Sequence, residues 1–272
     1  MTVEKVEPDP TTSLLAFFGA EVLRLRTERG MSQATLAAKA LATQAMISYV
    51  ERAKRVPSRE LAEGLDHALR TGGHFVRLYP LVIRYAYPSW FLPYVELERE
   101  AVSFRSFEGQ IVHGLLQTEG YARAMLAAGR PDNLEDLVAA RMSRQQVFER
   151  DLPPRAWFVV DEYVLLRQVG GEEVMRGQLE KLLTAGESPR TVIQVIPKDT
   201  AVHPGLCGPF ALLGFDEGGD ILYSDGFSQG WAVTDPAEVA SAAHAYDLLR
   251  AVALPPDESA DLIGRHLKGL SA

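Results

Sequence analysis

Cysteine is almost absent from this sequence. Cys207 is the only one in 272 residues, so an intramolecular disulfide and a zinc site built from several cysteines are both excluded. Long apolar runs are also missing, because no stretch approaches the ~18 residues of a membrane-spanning helix. The first residues, MTVEKVEPDPTTS, are acidic and have no apolar core, unlike a signal peptide. We therefore expect a cytoplasmic protein without membrane contact, and a flexible tail over residues 1–13.

The charge of the chain is unevenly distributed. The length favours two domains, and a composition of 47% hydrophobic and 24% charged residues is ordinary for globular proteins. Residues 14–78 carry ten Lys and Arg against six Asp and Glu, which is a net charge of +4. The whole chain has a net charge of −8, so the other residues together carry −12. A small basic part followed by a large acidic part indicates two domains with different partners.

Helix signals crowd the first part of the chain. Gly30 ends a first apolar-periodic helix, and Ser32 and Thr43 are favourable N-caps for the second and third helices. Pro57 and Ser58 begin a fourth helix, and a pair of glycines at 72–73 separates it from a fifth. These signals predict an all-α domain of five helices over residues 14–84.

The second and third helices have the spacing of a helix-turn-helix, whose second helix enters the major groove of DNA. If Ile47 and Val50 face the interior, small and polar side chains lie on the outer face of the third helix. The candidates for contact with base edges are Gln44, Ala45, Ser48 and Tyr49. Gln44 can offer a two-pronged amide to adenine, and Ala45 can meet a thymine methyl. The candidates for contact with phosphates are Gln33, Thr43, Arg52, Lys54, Arg55 and Arg59.

The segment SQATLAAKALATQAMISYVERAKRVPS at 32–58 resembles the helix-turn-helix of the XRE family, the repressors of lambda and Cro type. The matching pairs are Ser32-Gln33, Leu36-Ala37, Ile47-Ser48, Glu51-Arg52 and Pro57-Ser58. The resemblance implies a lambda-repressor-like fold and a double-stranded DNA operator as partner. We also expect a homodimer, because two such domains together bind DNA half-sites about one helical turn apart.

Two positions depart from the family. Leu41 and Ala53 stand where its members usually have glycine, in the turn and at the end of the third helix. Glycine accepts positive φ without strain from a Cβ, whereas another residue costs about 1 to 2 kcal/mol there. We expect either positive φ at both positions or a reshaped turn.

The rest of the chain predicts an α+β domain. An aromatic and proline-bearing linker at 85–94 precedes this domain, which covers 95–272. β-branched and aromatic runs predict a small sheet with strands at 156–167, 191–197, 209–215 and 220–224. Periodicity and caps predict covering helices from 132 to about 150 and at 172–185, 235–251 and 256–270.

The second domain also resembles a known module. GLLQT at 114–118, WFVVDE at 157–162 and HPGLCGPFALLGF at 203–215 are similar to the C-terminal domain of actinobacterial regulators of the WhiJ type, which accompanies XRE helix-turn-helix segments. This resemblance implies a transcriptional regulator of development or secondary metabolism. It also implies an antitoxin-like role beside a small partner protein encoded nearby.

No motif for catalysis or metal binding is present in the second domain. Asp161 and Glu162 are adjacent on a predicted strand and would face opposite sides. His203 and Cys207 lie in a loop rich in proline and glycine, with no further ligand nearby in sequence. We therefore predict no enzyme, no metal site and no cofactor.

Four residues are candidates for contact with a ligand or a protein partner, because we predict that they lie in turns beside aromatic side chains: Tyr223, Asp225, Phe227 and Trp231. Two alternatives stay open. The second domain holds a small molecule that shifts the spacing of the DNA-reading heads, or the protein is an interaction module with weakened DNA binding. The acidic surface and the two missing glycines are the features that keep the latter alternative open.

Overall fold

A computed structural model describes residues 9–226 and 229–270. Within them the chain forms two compact units. The first unit contains residues up to 89 together with 126–143, and the second contains 90–125 and the residues from 144 onward. Residues 126–143 thus fold with the helical unit, although the sequence pattern placed them in the second domain.

The first unit contains the five predicted helices, α1 (Leu14–Glu28), α2 (Gln33–Lys39), α3 (Gln44–Glu51), α4 (Arg59–Leu69) and α5 (His74–Ala86). Ser32, Thr43 and Ser58 cap α2, α3 and α4, since each hydroxyl accepts a hydrogen bond from the backbone N–H three residues later. Ser13 caps α1 in the same way. These caps satisfy backbone donors that the first helical turn leaves without partners.

Each of the five helices contributes a completely buried apolar residue. Phe18, Leu36, Ile47, Leu65 and Phe75 are completely buried. Helices α1 and α3 approach closely at Gly19, where a Cβ would lie 2.4 Å from the carbonyl oxygen of Val50. A side chain at this position would push the two helices apart, so the core requires glycine here.

The other elements follow in chain order. The helices are α6 (Leu92–Glu100), α7 (Glu119–Ala127), α8 (Leu134–Arg144), α9 (Glu162–Leu166), α10 (Glu172–Gly186), α11 (Pro236–Val252) and α12 (Pro256–Gly269). The strands are β1 (Ser103–Glu108), β2 (Arg155–Asp161), β3 (Thr191–Ile196), β4 (Phe210–Gly214), β5 (Ile221–Asp225) and β6 (Gly230–Val233).

The six strands form one mixed sheet in the order β3-β2-β1-β4-β5-β6. β1, β2 and β3 run parallel, whereas β4, β5 and β6 are antiparallel to their neighbours. One face carries Phe104, Phe158 and Leu213 in the larger core, which α10 and α12 cover. The other face carries Phe107 and Leu212, which pack with Tyr246 and Leu249 of α11. The predicted α+β class is therefore confirmed.

Several local predictions in the second unit were wrong. The strand predicted over 156–167 ends at Asp161, whose carboxylate accepts a hydrogen bond from the Tyr163 N–H at 2.9 Å and so caps α9. The long helix predicted to reach Arg150 ends as an α-helix at Arg144 and continues as a 3₁₀ turn over Gln145–Glu149. Strands β1 and β6 and helix α6 were not predicted.

Three of the four ligand or partner candidates lie in strands and not in turns. Tyr223 and Asp225 belong to β5, and Trp231 belongs to β6. The turn prediction failed because the polar residues Ser224 and Asp225 interrupt the apolar pattern without ending the backbone pairing. Phe227 lies outside the described residues.

Candidate nucleic-acid interface

The outer face of α3 is the candidate surface for reading bases. Ile47 and Val50 are completely buried, as predicted. Gln44 and Ala45 on the opposite side are exposed, and the Tyr49 side chain is 38% exposed. Ser48 is half-buried beside them. The first turn of α3 therefore presents an amide and a methyl group outward, as direct contact with base edges requires.

Leu41 and Ala53 adopt the left-handed conformation, with φ values of 55° and 53°. The N–H of Ala42 bonds to the Ala37 carbonyl, and the N–H of Lys54 bonds to the Tyr49 carbonyl, both at 2.9 Å. These six-to-one bonds close α2 and α3 as they do where glycine ends a helix. The first of the two expected outcomes, positive φ, is confirmed, and the turn keeps its geometry at the cost of strain.

A buried carboxylate lies beneath the start of α2. Glu51 is 3% exposed and accepts two hydrogen bonds from the guanidinium of Arg26. It also accepts a 2.7 Å hydrogen bond from the side-chain amide of Gln33. Gln33, a phosphate candidate, is thereby oriented by Glu51 from inside the unit. In the sequence, Glu51 is a polar residue at the end of a helix like any other, so the pattern did not predict its role in the core.

The Tyr49 ring lies close to two of the candidate phosphate contacts. The guanidinium carbons of Arg52 and Arg55 are 5.2 Å and 4.9 Å from the centre of its ring. Arg52 also donates a 3.0 Å hydrogen bond to the carbonyl oxygen of Ser48. Cation–π contacts of this kind hold long side chains in one arrangement. The ring thus arranges two positive charges beside the reading face, a role that the sequence did not indicate.

The remaining candidates lie near these residues along the chain. The Thr43 hydroxyl accepts the capping bond from Met46 N–H at 3.1 Å. The ammonium nitrogen of Lys54 is 3.6 Å from a carboxylate oxygen of Glu135, and Arg59 is 3.1 Å from Glu63. All ten DNA-binding candidates lie on α2, on α3 and its N-cap Thr43, on the segment after α3 and on the first residue of α4. The structure therefore gathers them in one part of the helical unit.

The candidates of the second unit are in a different setting. Tyr223 is 5% exposed and stacks on Tyr94, with 3.9 Å between ring centres. Burial, followed by the nearby Asp225 carboxylate, raises the pKa of the Tyr223 hydroxyl far above its ordinary value. Trp231 is 49% exposed on edge strand β6, and Asp225 is exposed at the end of β5. Tyr223 is thus part of the core, whereas Asp225 and Trp231 face solvent.

A buried ion pair lies beside this aromatic stack. Arg144 donates hydrogen bonds of 2.7 Å and 2.6 Å to the two carboxylate oxygens of Glu98. Both side chains are at most 5% exposed. The guanidinium also lies 4.9 Å from the Phe91 ring centre and 5.5 Å from that of Tyr94. The pair neutralises its own charges, which is the arrangement expected of a structural pair.

The polar residues considered for catalysis are held in separate contacts. Asp161 caps α9 and lies 3.3 Å from a ring nitrogen of His203. Glu162 accepts hydrogen bonds from the Lys198 N–H at 2.8 Å and from His266 at 2.9 Å. Burial opposes ionisation of Glu162, but these hydrogen bonds outweigh it and lower its pKa. Over residues 9–226 and 229–270, no three His, Cys, Asp or Glu residues are grouped as a metal site would need.

Two family models match the chain. A model described as "Helix-turn-helix domain" matches residues 18–78, and a model described as "Domain of unknown function (DUF5753)" matches residues 91–265. The second match spans more than half of the sequence. The chain belongs to the DUF5753 family. Searches of curated proteins and of solved structures found no match.

The two matched ranges correspond differently to the two compact units. The helix-turn-helix match contains all ten DNA-binding candidates, which confirms the predicted helix-turn-helix of this DUF5753 protein. The DUF5753 match also contains residues 126–143, which fold with the helical unit. No helix in the part of the chain that the structure describes is long and apolar enough to cross a membrane.

Proposed function

We propose that this DUF5753 protein is a cytoplasmic, sequence-specific DNA-binding regulator of transcription of the XRE type, and that α3 reads its operator. The observation that carries the proposal is the outward face of α3, where exposed Gln44 and Ala45 lie beside the cluster of Tyr49, Arg52 and Arg55. An amide and a methyl group at the start of a groove-entering helix discriminate bases. Adjacent cations supply the affinity for phosphates, which depends on salt.

The left-handed φ values of Leu41 and Ala53 support a helix-turn-helix that is able to bind DNA. A missing glycine would weaken DNA binding if the turn bent differently, but both helix ends are closed by the expected hydrogen bonds. We therefore prefer DNA binding over an interaction module that has lost it. We propose no catalytic role for either unit.

Gel shift of the full chain with DNA from its own upstream region tests the proposal. Gln44→Ala should cost about 1 to 3 kcal/mol on one operator and relax specificity at one base pair, whereas Arg55→Ala should weaken all sequences alike and reduce the salt slope by about 1. Gln110→Ala and Arg29→Ala, which change the same residue types at exposed positions outside the candidate set, are the matched controls. Binding that neither Gln44→Ala nor Arg55→Ala alters would show that the reading face is assigned wrongly.

We further propose that the protein acts as a homodimer and that its second unit pairs with a second copy or with a small protein encoded nearby. The similarity to antitoxin-like regulators of development or secondary metabolism supports such a partner. Exposed Trp231 on edge strand β6 supports a protein contact, because an edge strand leaves backbone groups able to pair. Light scattering of the purified chain, followed by pull-down with the neighbouring small protein, tests both. A monomer that captures no partner would contradict them.

The alternative of a small-molecule sensor has narrower support. Tyr223 is buried in its stack with Tyr94, so Asp225 and Trp231 are, of the three candidates that the structure describes, the two exposed enough to meet a ligand without rearrangement. Quenching of tryptophan fluorescence by a bound metabolite, lost in Trp231→Phe, would favour this alternative over a protein partner.

A further inference from the structure

Helix α8 contributes to the helical unit along one side. Asp136, Ala139, Ala140 and Ser143 recur at the spacing of one helical face, and all but the half-buried Ser143 are nearly completely buried. Residues 126–143 belong to the same compact unit as α1 to α5. The unit that contains the DNA-reading face therefore includes a helix that lies more than eighty residues away in sequence from α3.

Three hydrogen bonds hold α8 in this unit. The Ser13 hydroxyl, which caps α1, donates to a carboxylate oxygen of Asp136 at 2.8 Å. The Tyr87 hydroxyl donates to the carbonyl oxygen of Ala140 at 2.9 Å. The N–H of Val56 donates to the hydroxyl of Ser143 at 2.7 Å. These contacts join α8 to the start of α1, the end of α5 and the segment that follows α3.

The Val56 contact lies beside the candidate phosphate contacts. Val56 is 4% exposed and follows directly after Lys54 and Arg55, two of the candidate phosphate contacts. Its N–H lies outside any helix or strand, and the Ser143 hydroxyl is the acceptor that satisfies it. Ser143 is fixed in turn, because its hydroxyl donates to the Ala139 carbonyl at 2.6 Å. A segment that carries two cations is thus held from behind by α8.

A second contact acts on Lys54 itself. Its ammonium nitrogen is 3.6 Å from Glu135 in the first turn of α8. The side chains are 43% and 64% exposed, so the ion pair is open to solvent and weak. It nevertheless competes with phosphate for the same ammonium group.

We propose that α8 contributes to DNA binding by the helical unit. Ser143 positions the segment of residues 54–59, and the ion pair with Glu135 keeps Lys54 from binding phosphate. The proposal rests on the proposed DNA-binding function. It assigns a DNA-binding role to positioning residues that lie within the DUF5753 match and outside the helix-turn-helix match.

The positioning role is tested in the full chain with Ser143→Ala, and Ser143→Thr is the conservative control because it keeps the hydroxyl. Ser143→Ala should speed hydrogen exchange at the Val56 amide about tenfold and weaken DNA binding about three- to tenfold, because it leaves a buried donor without an acceptor. The loss should be equal for all DNA sequences and should lower the salt slope, which a general loss of stability would not do. Ser143→Thr should behave as wild type.

The restraint is tested with Glu135→Gln, at an exposed position where folding is not at risk. This change should tighten DNA binding about 1.5- to fivefold at low salt. The gain should vanish in a Lys54→Ala background, because the effect acts through that ammonium group. Glu28→Gln, which removes the same charge from an exposed ion pair with Arg24, should change binding less.

The outcomes separate this inference from the proposed function. A wild-type chain that binds no DNA would defeat the proposed function and the inference with it. Wild-type binding that Ser143→Ala leaves unchanged in affinity and salt slope would overturn the positioning role alone. A gain from Glu135→Gln that persists in Lys54→Ala would overturn the restraint.

Discussion

Arg26 and Glu51 form a two-pronged ion pair inside the helical unit, with Glu51 almost wholly removed from solvent. The same carboxylate accepts the Gln33 amide. Glu51 therefore joins the end of α3 to α1 and to the start of α2, the three helices around the turn.

Replacement of Glu51 by Gln should destabilise the protein by about 3 to 5 kcal/mol, because it leaves the guanidinium of the half-buried Arg26 without its buried counter-charge. Urea unfolding measures the loss. Glu28→Gln, at the exposed ion pair with Arg24, should cost less than about 1 kcal/mol. Equal losses in the two variants would contradict a structural role for the buried pair.

Glycine at either left-handed position should stabilise the protein. Leu41→Gly and Ala53→Gly should each raise the free energy of unfolding by about 1 kcal/mol, because they relieve a Cβ held at positive φ. Leu41 is 96% exposed, so little packing is lost. Ala38→Gly, at an exposed helical position of α2, should lower stability by about 0.5 to 1 kcal/mol. A loss of stability in Leu41→Gly would show that the strain is not relieved.

The Tyr49 ring should matter more than its hydroxyl. Tyr49→Ala should weaken DNA binding by about 0.5 to 2 kcal/mol, because Arg52 and Arg55 lose the surface that orders them. Tyr49→Phe keeps the ring and should bind as wild type. Titration of both variants against one operator measures the difference. A loss in Tyr49→Phe equal to that in Tyr49→Ala would assign the contribution to the hydroxyl instead.

Asp136 should make the stability fall as pH rises. Burial, which the hydrogen bond from Ser13 only partly offsets, raises its pKa above the ordinary value of 3.8. The folded chain therefore keeps this proton at pH values where the unfolded chain has lost it. The contribution of this protonated carboxyl to stability is complete below pH 3.8 and is lost as the pH rises through the folded-state pKa.

Urea unfolding between acid and neutral pH compares the wild type with Asp136→Asn, which cannot ionise. The stability of Asp136→Asn should rise relative to that of the wild type as pH increases, and the difference should level off once Asp136 is charged in the fold. A difference that does not change with pH would show that this carboxyl has an ordinary pKa.

The ion pair of Glu98 and Arg144 should be replaceable only as a pair. Arg144→Met alone should cost about 3 to 5 kcal/mol, because it leaves the buried Glu98 carboxylate uncompensated. Adding Glu98→Leu should recover most of that loss. Thermal and urea unfolding of the two variants provides the comparison, and a double variant no more stable than the single one would contradict this view of the pair.

The local signals of the helical unit could be predicted from the sequence because they act within a few residues. Ser32, Thr43 and Ser58 cap the helices that follow them. Leu41 and Ala53 could be singled out because a backbone requirement for positive φ applies to the position whatever its surroundings. The outward side of α3 followed from the burial of Ile47 and Val50.

The errors at β1 and α8 occurred where a distant partner decides the structure, whereas the error after Asp161 came from a local cap. β1, with sequence SFRSFE, has its two aromatic residues three positions apart and so lacks the alternation typical of a strand, and pairing with β2 and β4 makes it a central strand. The apolar run after Trp157 continues beyond Asp161, but the capping bond to Tyr163 turns the chain into a helix. Nothing local in α8 indicates that its partners are Ser13, Val56 and Tyr87.

The interleaving of residues 126–143 with the helical unit limits how members of the family exchange parts in evolution. Consider a recombinant that joins the residues up to the end of α5 from one member to the remaining residues of another. Its α8 would come from a different protein than the Val56 and Tyr87 that it contacts. Only exchanges that carry both segments together preserve these contacts. Sequence changes in α8 should therefore track changes in the segment after α3, and the two should be inherited as one unit.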